Sequence, residues 1–395
     1  LRAHISHVDS AHRYKSLGVD VYLGQAKFLD ATTVTVDGPA GARSLKWVKA
    51  VVCTGARAAV PSVPGLQEAG YLTNETVFSL THLPQRLGVI GAGPVGCELA
   101  QTFARFGSRV SLIEAQHGIL PREDRDAASI VEEAMSRDGV SLVCCGKDLV
   151  IHKADAGKRI TVASHGKAYD IEVDDILIGA GRAPNVEGLG LEAVGVQYDF
   201  TGVKVNQRLQ TTNPNVYAAG DICSTYKFTH AADAMAQIVI QNALFPHPLG
   251  FGYASMKSLI MPWCTFTDPE VAHVGLYEDQ AKASGLSVET YTYKLDEVDR
   301  AILDGQEEGF ARVHLKAGTD TLLGATIVGA HAGENIGELS VAMKAGAGAG
   351  VIASTIHPYP TMAEANKKAV NLWRKAHFTP RTKALLTKLF AWMRR

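Results

Sequence analysis

"RLGVIGAGPVGCELAQTFARFGSRVSLIE", Arg86 to Glu114, is the stretch whose reading decides the fold. A short apolar run ends on Gly91-Ala92-Gly93-Pro94-Val95-Gly96, a helical period follows, and a second apolar run ends on an acid. This order predicts strand, glycine turn, helix and strand, the opening of a parallel α/β unit. The first glycine permits a tight turn, Gly93 lets backbone approach a pyrophosphate, and Gly96 lets helix and strand pack closely. Phosphates would then sit at a helix N-terminus. The helix is expected to run through Phe106 with Val95, Leu99, Phe103 and Phe106 on one face. Glu114, ending the next strand, can accept ribose hydroxyls and would repel a 2′-phosphate, so NADH is favoured over NADPH. Arg122 is the nearby residue able to serve such a phosphate.

Working outward, 395 residues with 46% hydrophobic composition exceed one ordinary core, and two or three domains are expected. Lys+Arg of 39 against Asp+Glu of 40 leaves a formal charge of -1, so no bulk attraction to nucleic acid or an anionic membrane is implied. No run of about 18 apolar residues suggests a membrane span, and no charged-apolar-small leader opens the sequence. Six cysteines without CxxC spacing suit a reducing cytoplasm. Cys144-Cys145, the vicinal pair, invites a metal-thiolate reading, but the apolar run "SLVCC" is read as two buried strand thiols.

Residues 19–60 are read as sheet strands, "VDVYLG", "TVTVDG" and "WVKAVVCTG", with turn glycines. "VSLVCC", "RITVAS" and "DDILIGAG" continue the α/β unit, and "NVYAAGD" is a strand stopping at Gly220-Asp221 before an alanine-rich helix from Thr229. From about Lys257, "FARVHL", "LLGATIVG" and "GENIGELSVAMKAG" form an α+β domain. Thr54-Gly55 ends a hydrophobic strand, and Gly220 would let a ligand approach backbone beside Asp221. Taken singly, both pairs also read as ordinary strand-ending turns.

Together with "HPYPT", these segments resemble the pyridine nucleotide-disulfide oxidoreductases nearly from end to end. The phrases "FTHAADAMAQ" and "FTDPEVAHVGL" are similar to its mercuric reductase-like branch. The resemblance implies a Rossmann-like FAD domain, here incomplete, with an inserted NAD(P)-binding Rossmann domain and a C-terminal α+β dimerisation domain. The implied partition is 1–83 and 184–256 for FAD, 84–183 for NAD(P), 257–376 for the interface and 377–395 for a basic amphipathic tail. It assigns Thr54, Gly55, Gly220, Asp221, Phe228, Thr229 and His230 to FAD. Gly91, Gly93, Gly96, Glu98, Glu114 and Gly181 go to NAD(P)H, with Glu98 beside the nicotinamide. A cytoplasmic homodimer is implied, in which "HPYPT" reaches the partner's flavin.

The family carries an earlier GxGxxG and a CxxxxC redox pair, and this sequence, starting at Leu1, shows neither, so it is expected to be a fragment. The implied activity passes electrons from NAD(P)H through FAD and a dithiol to Hg(II), another soft metal or a disulfide. Alternatives are a non-catalytic NAD(H)-binding fragment, a dithiol-independent diaphorase and dihydrolipoamide dehydrogenase. In "HPYPTMAEA", His357 to Ala365, the residue five before Glu364 is Tyr359. The family places its proton-exchanging histidine there, so Tyr359 and Glu364 become the catalytic candidates and His357 a flanking residue. The tail "TPRTKALLTKLFAWMRR" is expected to pack on its own body or a second subunit, with membrane-surface contact as the alternative.

Overall fold

The computed structural model describes residues 2–39, 41–116, 118–154 and 157–394. They form two compact units, one of residues 1–57 with Arg182–Leu259, the other of Ala58–Gly181 with Ile260–Arg395.

In the first unit, Gln25–Asp30, Thr33–Gly38 and Gly41–Lys46 form a three-stranded antiparallel sheet. Ala50–Val52 pairs in parallel with Val216–Ala218. Phe28, Val52, Leu191, Val194, Val216 and Ile222 are buried in one cluster. Helix Thr229–Leu244 buries Ala231, Met235, Ile238, Val239 and Asn242, the one-face spacing expected of its alanine-rich sequence. The expected strand "VDVYLG" does not form. Val19 and Leu23 are exposed, and no strand of the described residues pairs with theirs, so alternation there has no sheet to serve. "WVKAVVCTG" keeps only Ala50–Val52, the length its parallel neighbour covers.

In the second unit, Arg86–Ile90, Arg109–Ile113, Val140–Val143 and Asp175–Ile178 form a four-stranded parallel sheet, with Asp175–Ile178 beside Arg86–Ile90. Helices Pro94–Arg105 and Arg125–Arg137 make the crossovers. The antiparallel meander Lys147–Ala154, Gly157–Ser164, Lys167–Val173 precedes the last strand. Pro94–Arg105 buries Gly96, Cys97, Ala100 and Gln101, not the face expected from its larger apolar residues. Leu99 and Phe103 pack only at the margin of the core and Phe106 is 67% exposed. Small residues win that face because Gly96 brings the helix backbone against the strand, leaving no room for a phenyl ring.

The same unit carries a five-stranded antiparallel sheet, in the order Pro262–Thr265, Glu270–Gly275, Leu322–Gly329, Phe310–Lys316, Val288–Lys294. Helices Ala332–Ala345, Ala349–Ser354 and Glu364–Ala376 contribute Ile336, Leu339, Ile352, Ala369 and Val370 to its core. Val271, Phe310 and Val328 of this sheet join Val89 and Leu112 of the parallel sheet in one cluster, so the two sheets share a core.

Helix Pro380–Met393 starts with Pro380 behind the Thr379 hydroxyl, which accepts from Thr382 N–H at 3.2 Å. It buries no residue, and Leu385 and Trp392 are exposed. Among the described residues no helix is long and apolar enough to cross a membrane.

Candidate nucleotide and electron-transfer site

Each glycine of the turn has its own geometric reason. Gly91 has φ of 101°, and a Cβ there would stand 2.7 Å from Gly179 C. A Cβ on Gly96 would meet Gly91 O at 1.9 Å, which forces glycine where helix meets strand. Around Gly93 the nearest neighbour of such an atom is Gly179 O at 3.9 Å, so this position is open on the protein side. Gly93 is the cap residue of helix Pro94–Arg105, whose first amides are the unsatisfied donors that favour an anion.

Glu114 ends its strand with Oε2 accepting from Ala92 N–H at 2.6 Å and Oε1 from Gln116 N–H at 2.9 Å. The carboxylate therefore braces the glycine turn, and a carboxylate's further lone pairs remain for hydroxyl donors. Glu98, one turn into the helix, accepts from Phe266 N–H at 2.9 Å, and burial raises its pKa. Cys97 beside it donates to Ala92 O at 3.3 Å; burial pushes the thiol up to about 12, which fits packing, not reactivity. Gly181 is left-handed with φ of 106° and nothing within 4 Å of a Cβ, and its carbonyl accepts from Ala59 N–H at 2.9 Å.

In the first unit, the Thr54 hydroxyl donates to Asn185 O at 2.9 Å and Asn185 N–H donates to Gly55 O at 3.0 Å. Gly55 has φ of 67° and nothing within 4 Å of a Cβ. Gly220, φ 79°, comes close to the long helix, where a Cβ would meet Ala232 Cβ at 3.1 Å. Asp221 is ion-paired through Oδ2 to Arg182 Nε at 2.9 Å, and Arg182 also donates to Ala56 O at 2.6 Å. Arg182 directly follows the segment "DDILIGAG", and only the fold puts it on Asp221, 39 residues further along. Phe228 caps helix Thr229–Leu244 and stacks on His230 with ring centroids 5.2 Å apart, leaving Thr229 as the first helical residue.

Tyr359 is 70% exposed and its hydroxyl donates to Asp299 Oδ2 at 2.6 Å. That bond holds the phenol above its ordinary pKa, so it is a donor and not a base at neutral pH. Glu364 opens helix Glu364–Ala376 and pairs with Lys368 at 3.3 Å. No hydrogen bond joins Tyr359 to Glu364. A histidine–glutamate pair does exist nearby: His357 Nε2 lies 2.7 Å from Glu338 Oε1, and His357 Nδ1 lies 3.1 Å from Thr355 O. Glu338 sits on helix Ala332–Ala345, 19 residues before His357, so no local spacing links the two.

The vicinal cysteines depart from their expectation. Strand Val140–Val143 ends before them, both thiols are half-buried, and Cys145 has φ of 56°. Cys144 Sγ lies 3.3 Å from His165 Nε2 and 3.7 Å from Cys145 Sγ. They belong to a turn whose geometry removes them from the strand pleat, so they are not buried strand thiols.

A braced glycine turn at the start of a parallel sheet defines a dinucleotide-binding α/β protein. The family model for pyridine nucleotide-disulphide oxidoreductase matches residues 6–236, and that for its dimerisation domain matches 261–370. The chain belongs to the pyridine nucleotide-disulphide oxidoreductases, a family of flavoprotein oxidoreductases that binds FAD and NAD(P). A mercuric reductase of Staphylococcus aureus is 34% identical over 353 residues, 89% of this chain and 63% of that protein. A dihydrolipoyl dehydrogenase of Thermus scotoductus is 34% identical over 368 residues, 90% of this chain and 76% of that protein. The Cu(II) complex of the HOCl-induced flavoprotein disulfide reductase RclA from Escherichia coli matches with a TM-score of 0.81 at 29% identity, covering 89% of this chain and 79% of that one. The chain spans less than two thirds of the mercuric reductase's length.

Proposed function

We propose that this chain is the larger part of an NADH-preferring flavoprotein reductase of mercuric reductase type, acting as a homodimer on Hg(II), another soft metal ion or a disulfide. Equal identity to a mercuric reductase and a dihydrolipoyl dehydrogenase leaves the acceptor to the site residues. The observation that carries the choice is Tyr359. A phenol hydrogen-bonded to Asp299 stands where a thiol-exchanging reductase needs an imidazole to move protons, so the site lacks that base. The Cu(II) complex of the Escherichia coli relative also supports a metal-ion acceptor.

The nucleotide turn fits NAD(P)H: Gly93 keeps the space a pyrophosphate needs, the helix amides beyond it donate, and Glu114 receives ribose hydroxyls. Gly55 similarly keeps backbone surface clear for FAD, and Gly220 lets the strand end approach helix Thr229–Leu244, with Thr54, Asp221, Phe228, Thr229 and His230 as the further residues of that site. Bound FAD supplies hydride acceptance from NAD(P)H and delivery of electrons to a dithiol contributed from outside this sequence. Asp221 is oriented by Arg182, so one carboxylate oxygen is fixed toward protein and the other can receive a sugar hydroxyl. Glu98 is positioned by Phe266 N–H. Tyr359 would have to turn its single hydroxyl proton away from Asp299 to donate to a thiolate or to its metal complex.

The test uses the natural product of the whole reading frame. Expected are NADH-dependent reduction of Hg(II), slow turnover of lipoamide, and a kcat/KM for NADH above that for NADPH. Fast lipoamide turnover with no mercury-dependent NADH oxidation overturns the acceptor assignment; a colourless protein unable to oxidise NADH overturns the enzyme reading.

A further inference from the structure

We propose that Cys144, Cys145 and His165 form an exchangeable site for a thiophilic closed-shell metal ion, with Zn2+, Cd2+ and Cu+ as the class. Neither the nucleotide turn nor the Tyr359 segment uses these residues. Their three ligand atoms lie within 4.8 Å of one another. A tetrahedral ion with metal–sulfur bonds of about 2.3 Å and a metal–nitrogen bond of about 2.0 Å sets its sulfurs about 3.8 Å apart and sulfur from nitrogen about 3.5 Å apart. The observed separations are 3.7 Å between the sulfurs and 3.3 Å from Cys144 Sγ to His165 Nε2. The ligands therefore stand near coordination spacing already, and an ion needs small side-chain adjustments.

Sequence distance hides this arrangement, because a strand end and a hairpin tip supply it. His165 and Gly166 connect Gly157–Ser164 to Lys167–Val173, both with positive φ, 48° and 76°, as a two-residue type I′ loop requires. The Ser164 hydroxyl donates to Cys144 O, tying the hairpin to the cysteine turn. On the other side, Cys145 N–H donates to Gln116 O at 3.0 Å and Gly146 N–H to Glu114 O at 2.8 Å. Cys145 and His165 both occupy the left-handed region that non-glycine residues avoid, so the surrounding bonds must hold them there.

The donor set selects the ion. Two sulfurs and one imidazole favour soft or borderline metals over Ca2+ or Mg2+, which take oxygen ligands. On binding, each thiol gives up its proton, so two thiolates balance a divalent charge. Three protein ligands leave a fourth position for water or an incoming thiol, and the exposure of His165 keeps it reachable. That suits an ion that arrives and leaves, not a structural one.

The experiment titrates Cd2+ into the reduced, chelator-treated protein and follows thiolate-to-cadmium charge transfer in the ultraviolet. One of the Cd2+ ions bound per chain is expected to be lost in the double variant Cys144→Ser/Cys145→Ser. His165→Asn should keep the band and weaken affinity by about tenfold or more. Cys53→Ser, at an exposed thiol, should leave the titration unchanged. In parallel, Cd2+ should protect Cys144 and Cys145 of the unaltered protein from alkylation mapped by mass spectrometry, a readout independent of how the variants fold. An unchanged band in the double variant, or alkylation of both cysteines at the same rate with and without Cd2+, overturns the proposal.

Discussion

His357 Nε2 lies 2.7 Å from Glu338 Oε1, while the other oxygen of Glu338 accepts from Asn366 Nδ2 at 2.9 Å. Three helical or loop segments of the C-terminal sheet domain are thus joined by one carboxylate. Asn366 is fully buried and the His357 side chain is 7% exposed, so neither can turn to water if the carboxylate leaves. Glu338→Ala is expected to lower unfolding stability by about 1–3 kcal/mol, with Glu338→Gln losing less because an acceptor remains. Urea unfolding of both variants checks this. Equal losses would show that the hydrogen bonds do not carry the effect.

Gly93 and Gly96 should separate nucleotide binding from folding. Gly96→Ala places Cβ 1.9 Å from a backbone oxygen and should cost about 1–3 kcal/mol or more. Gly93→Ala meets only one atom near 4 Å, so stability should change by about 1 kcal/mol or less. NADH affinity in that variant should still fall about tenfold or more, because the methyl group occupies the pyrophosphate approach. Fluorescence titration with NADH beside thermal unfolding reads both quantities.

His273 provides a pH dependence with a defined sign. Burial lowers its pKa to about 3 from the ordinary 6.5; its ring lies between Thr326 Oγ1 at 2.8 Å and Gly275 O at 3.2 Å. His314 in the same sheet is lowered by burial as well. The unfolded chain takes up protons below about pH 6.5 and the folded one does not, so stability is full above that pH and falls as pH drops toward 3. For His273 alone the loss is on the order of 3 kcal/mol between pH 6.5 and 4. His273→Gln should flatten the stability profile over that window. A profile as steep as the parent's would show that other groups dominate.

Glu123, in the loop before helix Arg125–Arg137, ties that loop to the five-stranded sheet. It is 7% exposed and accepts from Trp263 Nε1 at 2.9 Å and from the Tyr277 hydroxyl. Burial raises its pKa, and the two donors oppose that rise. Glu123→Ala removes the acceptor of the buried Tyr277 hydroxyl and of the half-buried Trp263 indole, and should destabilise by about 1–3 kcal/mol, more than Trp263→Phe, which removes one donor with its acceptor still served. Chemical denaturation of the two variants gives the comparison.

The glycine turn was legible because each of its constraints is local. Gly91 needs a positive φ and Gly96 a missing side chain, both consequences of a strand turning directly into a helix. The final sheet was legible for a similar reason, since "FARVHL" and "LLGATIVG" lie within the paired strands Phe310–Lys316 and Leu322–Gly329. The buried face of Pro94–Arg105 was misread because periodicity registers which residues are apolar, whereas Gly96 decides how near the helix comes. "VDVYLG" was misread because alternation describes a strand's side chains and says nothing of whether a partner exists.

By itself, then, the sequence determined the dinucleotide turn and the last two strands of the C-terminal sheet, both set by neighbours within a few residues. The tertiary structure alone decided that Arg182 holds Asp221, that His357 meets Glu338, and that Cys144 and Cys145 face His165. Those pairings depend on strand register and hairpin placement, which bring side chains together across sequence separations that no local pattern records.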